Sequence, residues 1–204
     1  MAAKIDIKKS LKELYSQKRA PHFVQVPPLR LLMIDGRGAP ESPDFQGAVN
    51  ALYSAMYTVK FTLKSEGRTD FVVPPLEVLW WAEDMTAFPE NRRDEWQWSA
   101  MLPRMEHIRW DDVTGALAAL SSKGKATPSH DLIRPAVLHE GRSVQALHVG
   151  PYESMGPTIE AVHEFAAANG FVVVGKQHDI YISDPRRAAP AKLKTIVRCP
   201  VAPA

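Results

Sequence analysis

Apolar residues along this chain fall into two spacings, every second position and every third or fourth, and the order of these segments occurs twice. Residues 28–35 (PLRLLMID) are an apolar run of strand length, closed by GRGAPESPD, whose Gly, Pro and Ser/Asp cluster marks a loop with a helix N-cap near its end. From about Phe45 to Leu63, Val49, Leu52, Met56 and Val59 form one core-facing stripe, with Tyr53 and Tyr57 one turn apart beside it. That spacing predicts a long helix. A strand is predicted over residues 71–82, a turn at FPENRRDE, and a second strand over 96–107.

The same order returns about a hundred residues later. A strand at 143–149, the turn Gly150-Pro151, a helix over 157–169 stopped by Gly170, a strand at 171–183, the turn DPRRAAPA and a strand at 193–199 repeat strand, helix, strand, strand. Aligning the copies sets Gly36 against Gly150, Val49 against Ile159, Leu52 against Val162, Glu77 against Asp179 and Pro103 against Pro200. The predicted class is α+β: two pseudo-symmetric strand-helix-strand-strand modules with mainly antiparallel sheet. Neither module has enough strands to cover both of its faces, so the two are expected to pack across a pseudo-twofold axis. Module one covers about 23–110 and module two about 141–204. The connector, 111–140, is read as one helix (DDVTGALAAL) followed by an exposed loop, SSKGKATPSHD. Residues 1–22 form an N-terminal arm, with Ile5, Leu11, Leu14 and Tyr15 among lysines suggesting a short surface helix or a solvated tail.

Composition narrows the function. With 204 residues, 45% hydrophobic and 24% charged, the chain buries a sizeable core. A formal net charge of +2, without a basic block interleaved with aromatics, gives no indication of a nucleic-acid partner. No apolar run approaches bilayer length and the N-terminus lacks an apolar signal core, so a cytoplasmic protein without a membrane partner is expected. Cys199 is alone and the seven His are scattered, so no disulfide, no metal site and no cofactor is expected. The oligomeric state, monomer or homodimer, is left open.

The candidate chemistry lies on the hairpin strands. In PLEVLWWAED, alternation puts Glu77, Leu79 and Trp81 on one face and Val78 and Trp80 on the other. In KQHDIYISDP it puts Asp179 with Tyr181, and His178 with Ile180 opposite. Acids inside apolar strands at matching places are expected to converge near the twofold axis, where a buried carboxylate recognises a cation or donor, or acts as a general base. The structural alternative is that strand acids simply face solvent. Trp80 and Trp81 point to opposite faces, so one of them can line a cavity, while Trp96 and Trp98 share a face and either line the same cavity or pack under the long helix. Tyr53 and Tyr57 are candidate phenolic donors, and Tyr152, just after the Gly150-Pro151 turn, sits at a cavity mouth or anchors the turn. His148 and His178 read as hydrogen-bonded structural residues.

Several long segments, LMIDGRGAPESPDFQGAVNALYSAMYTVKF, VVPPLEVLWWAEDM, WQWSAML, HVGPYESMGPTIEAVHEF and HDIYISDPRRAAPAKLKTIVRCPV, resemble the GyrI-like small-molecule-binding family over about residues 4–201. The similarity is greatest to the stand-alone branch that includes cyclopropanoid cyclopropyl hydrolases. The resemblance implies a ligand cleft between the two copies, with residues 23–204 as the domain, for flat, apolar, aromatic or cationic small molecules. The family also includes drug-sensing domains of transcription regulators, but no DNA-binding segment is read in this chain, so it is not expected to be one of them; the resemblance implies a hydrolase that detoxifies cyclopropane-bearing alkylators of the yatakemycin and duocarmycin type. A non-catalytic protein that sequesters or senses amphipathic drugs is the alternative. In that frame Glu77 and Asp179 handle water and protons, with Tyr57 among the catalytic groups. Tyr53, Trp80, Trp81, Trp96, Trp98, Tyr152 and Tyr181 hold the ligand. Where the branch reads HEIYLSDP, this chain has Asp179, one methylene shorter, which sets its carboxylate about 1.5 Å further from a substrate.

Overall fold

In the computed structural model, which describes residues 4–204, a single helix of 23 residues, α2 (Pro43–Ser65), organises the first half. Ser42 caps it by accepting from the Phe45 N–H at 3.2 Å, Pro43 occupies the first turn where its missing N–H costs nothing, and Asp44 meets the positive end of the helix dipole. Phe45, Ala48, Ala51, Leu52, Ala55, Met56, Val59 and Leu63 then recur every three or four residues and are all buried, so one stripe fastens the helix to the sheet. The predicted stripe contained Val49, which is only partly buried and belongs to the helix's other flank. The helix ends at Glu66, followed by Gly67 at φ +70°.

The strands are β1 (His22–Val26), β2 (Leu29–Arg37), β3 (Glu77–Trp81), β4 (Gln97–Pro103), β5 (Arg134–Leu138), β6 (Gly141–Val149), β7 (Phe171–Val173), β8 (Gln177–Tyr181) and β9 (Lys194–Pro203). The remaining helices are α1 (Ile7–Ser10), α3 (Trp110–Ser122) and α4 (Gly156–Ala168). All the strand pairs are antiparallel, and the sheet runs β1-β6-β9-β8-β3-β4-β2-β5, with β7 paired to the far end of β9. The two strand-helix-strand-strand modules are therefore halves of one sheet that meet where β3 pairs with β8.

Two strands outside the expected elements complete each half. β5 lies in the stretch expected to be an exposed connector, and it pairs with β2 of module one. β1, at the junction of arm and module one, pairs with β6 of module two. Each half thus borrows its edge strand from the segment that precedes the other. The expected strand 71–82 shrinks to β3 because Pro74 and Pro75 lack ladder donors, and the expected strand 171–183 breaks into β7 and β8 around Gly175, whose Cβ would come within 2.8 Å of Pro200.

The arm carries the short helix α1 and exposes most of its residues, but it is anchored rather than free. Ile7, Leu14 and Tyr15 are buried in the main core, while the first three residues of the expected arm lie outside the described residues. Arg198 donates to the Leu14 carbonyl at 2.7 Å and Gln145 to the Glu13 carbonyl at 3.0 Å, which pins the arm across the sheet. Among the described residues no helix is long and apolar enough to cross a membrane.

Candidate functional site

Strand register decides which side chains can meet. Val78 pairs with Asp179 and Trp80 with Gln177, so Val78, Trp80, Gln177, Asp179 and Tyr181 share one face; Glu77, Leu79, His178 and Ile180 share the other. The expected meeting of Glu77 and Asp179 does not occur: the two carboxylates lie on opposite faces of the sheet. The physical reason is a one-residue register error, which inverts every side chain of a strand. On their other sides Val78 pairs with Ala100 of β4 and Asp179 with Val197 of β9. Directly opposite Asp179 across the seam stands Val78, and opposite Gln177 stands Trp80, so the acid of β8 faces an apolar strand.

On the helix-bearing face, a cavity of about 1030 Å³ opens between α2 and α4 above the β3–β8 seam. Phe45, Val49, Tyr53 and Tyr57 of α2 form one wall and Ile159 and His163 of α4 the other, over a floor of Trp80, Gln177, Asp179, Tyr181 and Cys199. Module one supplies the aromatic end. Phe45 stacks on Trp80 with centroids 5.3 Å apart, Trp96 meets Trp80 edge-on at 6.0 Å, and Phe88 stacks on Trp96 at 4.8 Å. Module two supplies the polar end. The Trp80 indole N–H donates to the Tyr181 hydroxyl at 3.2 Å, and Tyr152 packs edge-on against Tyr181 at 5.5 Å.

Asp179 is 4% exposed, and Gln177 Nε2 donates to its Oδ1 at 2.9 Å. Its Oδ2 has no hydrogen-bond partner among the described residues. Burial pushes the carboxyl up to about 7, against weaker pulls from Gln177 and from the charge of His178 beneath. The neighbouring groups are held neutral. Burial raises the Cys199 thiol to about 12 and the Tyr181 phenol well above its ordinary value, and raises Tyr53 to about 12 against a backbone hydrogen bond at Leu76. At neutral pH the cavity therefore presents a carboxyl poised between acid and base inside an aromatic shell.

Of the expected site residues, Asp179, Tyr57, Tyr53, Trp80, Trp96, Tyr152 and Tyr181 line the cavity and Glu77, Trp81 and Trp98 do not. Tyr57 stands at the mouth, 46% exposed. Trp98 shares the face but is sealed behind Phe45, 5.1 Å away edge-on, and lies over Gly36, where a Cβ would fall inside the indole. Trp81 points to the opposite face under the ammonium of Lys176, 3.0 Å from the ring centroid. Glu77 accepts from the Tyr15 hydroxyl at 2.7 Å and sits 3.0 Å from His178 Nε2. His178 Nδ1 is 3.0 Å from Glu140, which also holds Arg198 at 3.3 Å. Burial alone would lower His178, but the Glu140 and Glu77 carboxylates raise it to about 9; burial alone would raise Glu140, but His178 and Arg198 bring it to about 2. Glu77 is thus one of two buried carboxylates neutralised by an imidazolium and a guanidinium, a structural cluster that binds the arm to the back of the sheet.

Phe45, Phe88, Gln177, His163 and Cys199 also line the cavity and were not singled out from sequence. Gln177 carried a usable signal, since it stands two residues before Asp179 on the same strand face. Phe45 looks like an ordinary first core position of α2, and His163 and Cys199 reach the cavity only through the tertiary packing of α4 on β9. No cluster of three or more metal-ligating side chains occurs among the described residues.

The model of the GyrI-like small-molecule-binding domain matches residues 19–202. A crystal structure described as an uncharacterized conserved protein from Listeria innocua superposes with a TM-score of 0.88 at 36% identity, covering 98% of this chain and all of the other. One described as a hydrolase from Listeria innocua gives 0.84 at the same identity and coverage. The C-terminal domain of EcmrR shares the fold at 13% identity, with a TM-score of 0.56 over 90% of this chain and 98% of that domain. No curated protein matches the chain with significance. A family model spanning nearly the whole sequence, and relatives that share its architecture end to end, establish that this chain belongs to the GyrI-like small-molecule-binding family.

Proposed function

We propose that the cavity binds flat aromatic molecules, cationic ones included, and adds water to cyclopropane-bearing electrophiles, with Asp179 as the acid/base group. The observation that carries this reading is a buried carboxyl at about 7, one oxygen unpartnered, facing an aromatic cavity large enough for a drug-sized ligand. A ring system lying against Trp80 and Trp96 would bury apolar surface at roughly 25 cal/mol per Å². Water then attacks the strained ring carbon. Asp179 takes a proton from that water as the new C–O bond forms, and the electron pair of the breaking C–C bond moves into the conjugated carbonyl, which becomes a phenolate. The phenolate is stabilised by hydrogen bonds donated from the tyrosine hydroxyls of the wall, Tyr53, Tyr57 or Tyr152, which keep their protons; it takes a proton from solvent as Asp179 gives its own to solvent, so that the net change is the addition of one water. Glu77 has no part in this, because it is on the far face of the sheet. The Listeria innocua protein described as a hydrolase supports a reaction of this class.

The test is incubation with a cyclopropane-bearing indole alkylator, followed by mass analysis for the water adduct. The native protein should form the adduct, and Asp179→Asn should lose turnover while still showing saturable tryptophan quenching. Saturable binding by the native protein with the compound recovered intact would reduce the reading to sequestration.

A further inference from the structure

The cavity floor is polar in one module only. On this face β3 carries Val78 and Trp80, directly opposite Asp179 and Gln177 of β8, and Leu76 just before β3 also lines the cavity. β3 thus builds its side of the seam from apolar residues, whereas β8 places an amide and a carboxylate there, groups whose burial costs free energy unless they are paired or used. Gln177 is held in place at both ends. Its backbone is paired to Trp80, and its amide donates to Asp179 Oδ1 at 2.9 Å, the one hydrogen bond from a side chain to that carboxylate among the described residues.

We propose that Gln177 is the positioning residue that fixes the Asp179 carboxylate with one oxygen free toward the cavity, so that the site selects cationic ligands over neutral ones of the same shape. This rests on the reading of Asp179 as the recognising group of the cavity. An amide N–H favours the carboxylate over the carboxylic acid, because it is a donor and the acid's own O–H has no use for it. The other ionisable groups facing Asp179 leave that task to Gln177. Cys199 from β9 and Tyr181 from the same strand stay neutral, as does Tyr152 from the turn before α4. Glu153 and Asp184 at the cavity rim oppose a second negative charge, and Arg186 is committed to Asp184 at 3.0 Å. His163 from α4 lies 3.9 Å from the Cys199 sulfur rather than on the carboxylate, and His178 acts only from beneath the sheet.

The experiment is equilibrium dialysis of N-methylquinolinium, a fixed cation, and 1-methylnaphthalene, its neutral counterpart, from pH 5 to 9. Native protein should bind the cation more tightly as pH rises through about 7, and the neutral probe without a step. Gln177→Met keeps the side-chain length and removes the donor; it should raise the midpoint by about one pH unit and weaken cation binding several-fold at pH 7, with binding at pH 9 and neutral-probe binding retained. Gln177→Glu, which replaces the donor with a second acid, should raise the midpoint further. An unmoved midpoint in both variants, or an equal loss for both probes at every pH, would overturn the proposal. Asp179→Asn separates the two layers of inference: if the cation step survives in it, the reading of Asp179 itself fails, whereas loss of the step with an unmoved midpoint in the Gln177 variants refutes the role of Gln177 alone.

Discussion

Asp179→Asn is expected to make the protein more stable, and more so the higher the pH. A carboxyl exposed to water titrates near 4, and burial in the fold moves Asp179 to about 7. At about 1.4 kcal/mol per pH unit, the ionised carboxylate costs the folded state about 4 kcal/mol relative to the protonated one. The folded chain holds the proton more tightly than the unfolded chain. Its stabilising contribution is therefore complete below about pH 4, declines between pH 4 and 7, and is gone above. Asparagine keeps the shape and never ionises. The difference in unfolding free energy, variant minus native, should grow by about 4 kcal/mol from pH 4 to pH 8, a large part of the 5–15 kcal/mol typical of a domain. Urea unfolding followed by tryptophan fluorescence, at constant ionic strength across that range, measures the difference, and taking it removes the titration of every group the two proteins share. A difference that stays flat from pH 4 to 8 would show that Asp179 is not desolvated, and would remove the physical basis for its acid/base role. A gain in stability that coincides with loss of turnover is the trade-off expected of a group placed for chemistry.

Four other outcomes follow from the same geometry. Tyr15→Phe should destabilise the fold by about 1–3 kcal/mol in urea unfolding, since it leaves the buried Glu77 Oε1 without its donor. Stability should also fall as pH climbs from about 6.5 through 9, because the raised His178 contributes while protonated and ceases to on losing its proton; His178→Gln should remove that slope. Gly36→Ala should lower stability by about 1–3 kcal/mol, measured the same way, because the new methyl occupies the space of the Trp98 ring. Trp80→Leu should reduce ligand-induced fluorescence quenching, leaving the part due to Trp96, whereas Trp81→Leu should leave it intact, since of the two adjacent tryptophans only Trp80 faces the cavity.

Much of this arrangement was legible in the sequence because periodicity reports local geometry faithfully. The α2 stripe, the strand-helix-strand-strand repeat and the alternation that puts Trp80 opposite Trp81 all follow from spacing along one element. What failed needed information between elements. Whether Glu77 meets Asp179 depends on the register of β3 against β8, and aligning the two acids by chemical likeness displaced that register by one residue. β1 and β5 were missed because each is an edge strand with a weak pattern whose partner is remote in sequence, and Pro135 argued against a strand where only an edge tolerates it. Tyr15 and Leu14 looked like a solvated arm because their buried partners, Glu77 and Arg198, come from the other side of the molecule.

The exchange of edge strands ties the order of synthesis to the order of folding. β1 leaves the ribosome well before its partner β6, which is made only after α3 and β5, with His22 waiting for Gln145. The first half in turn lacks its own edge until β5 appears at Arg134–Leu138. Neither half can close as an autonomous unit during translation, so the duplicated chain folds late and as one cooperative body, although its repeat suggests two. For the same reason, a backbone cut in the loop after α3 leaves two fragments that each carry the strand finishing the other. Each fragment would depend on the other for the strand that finishes its sheet.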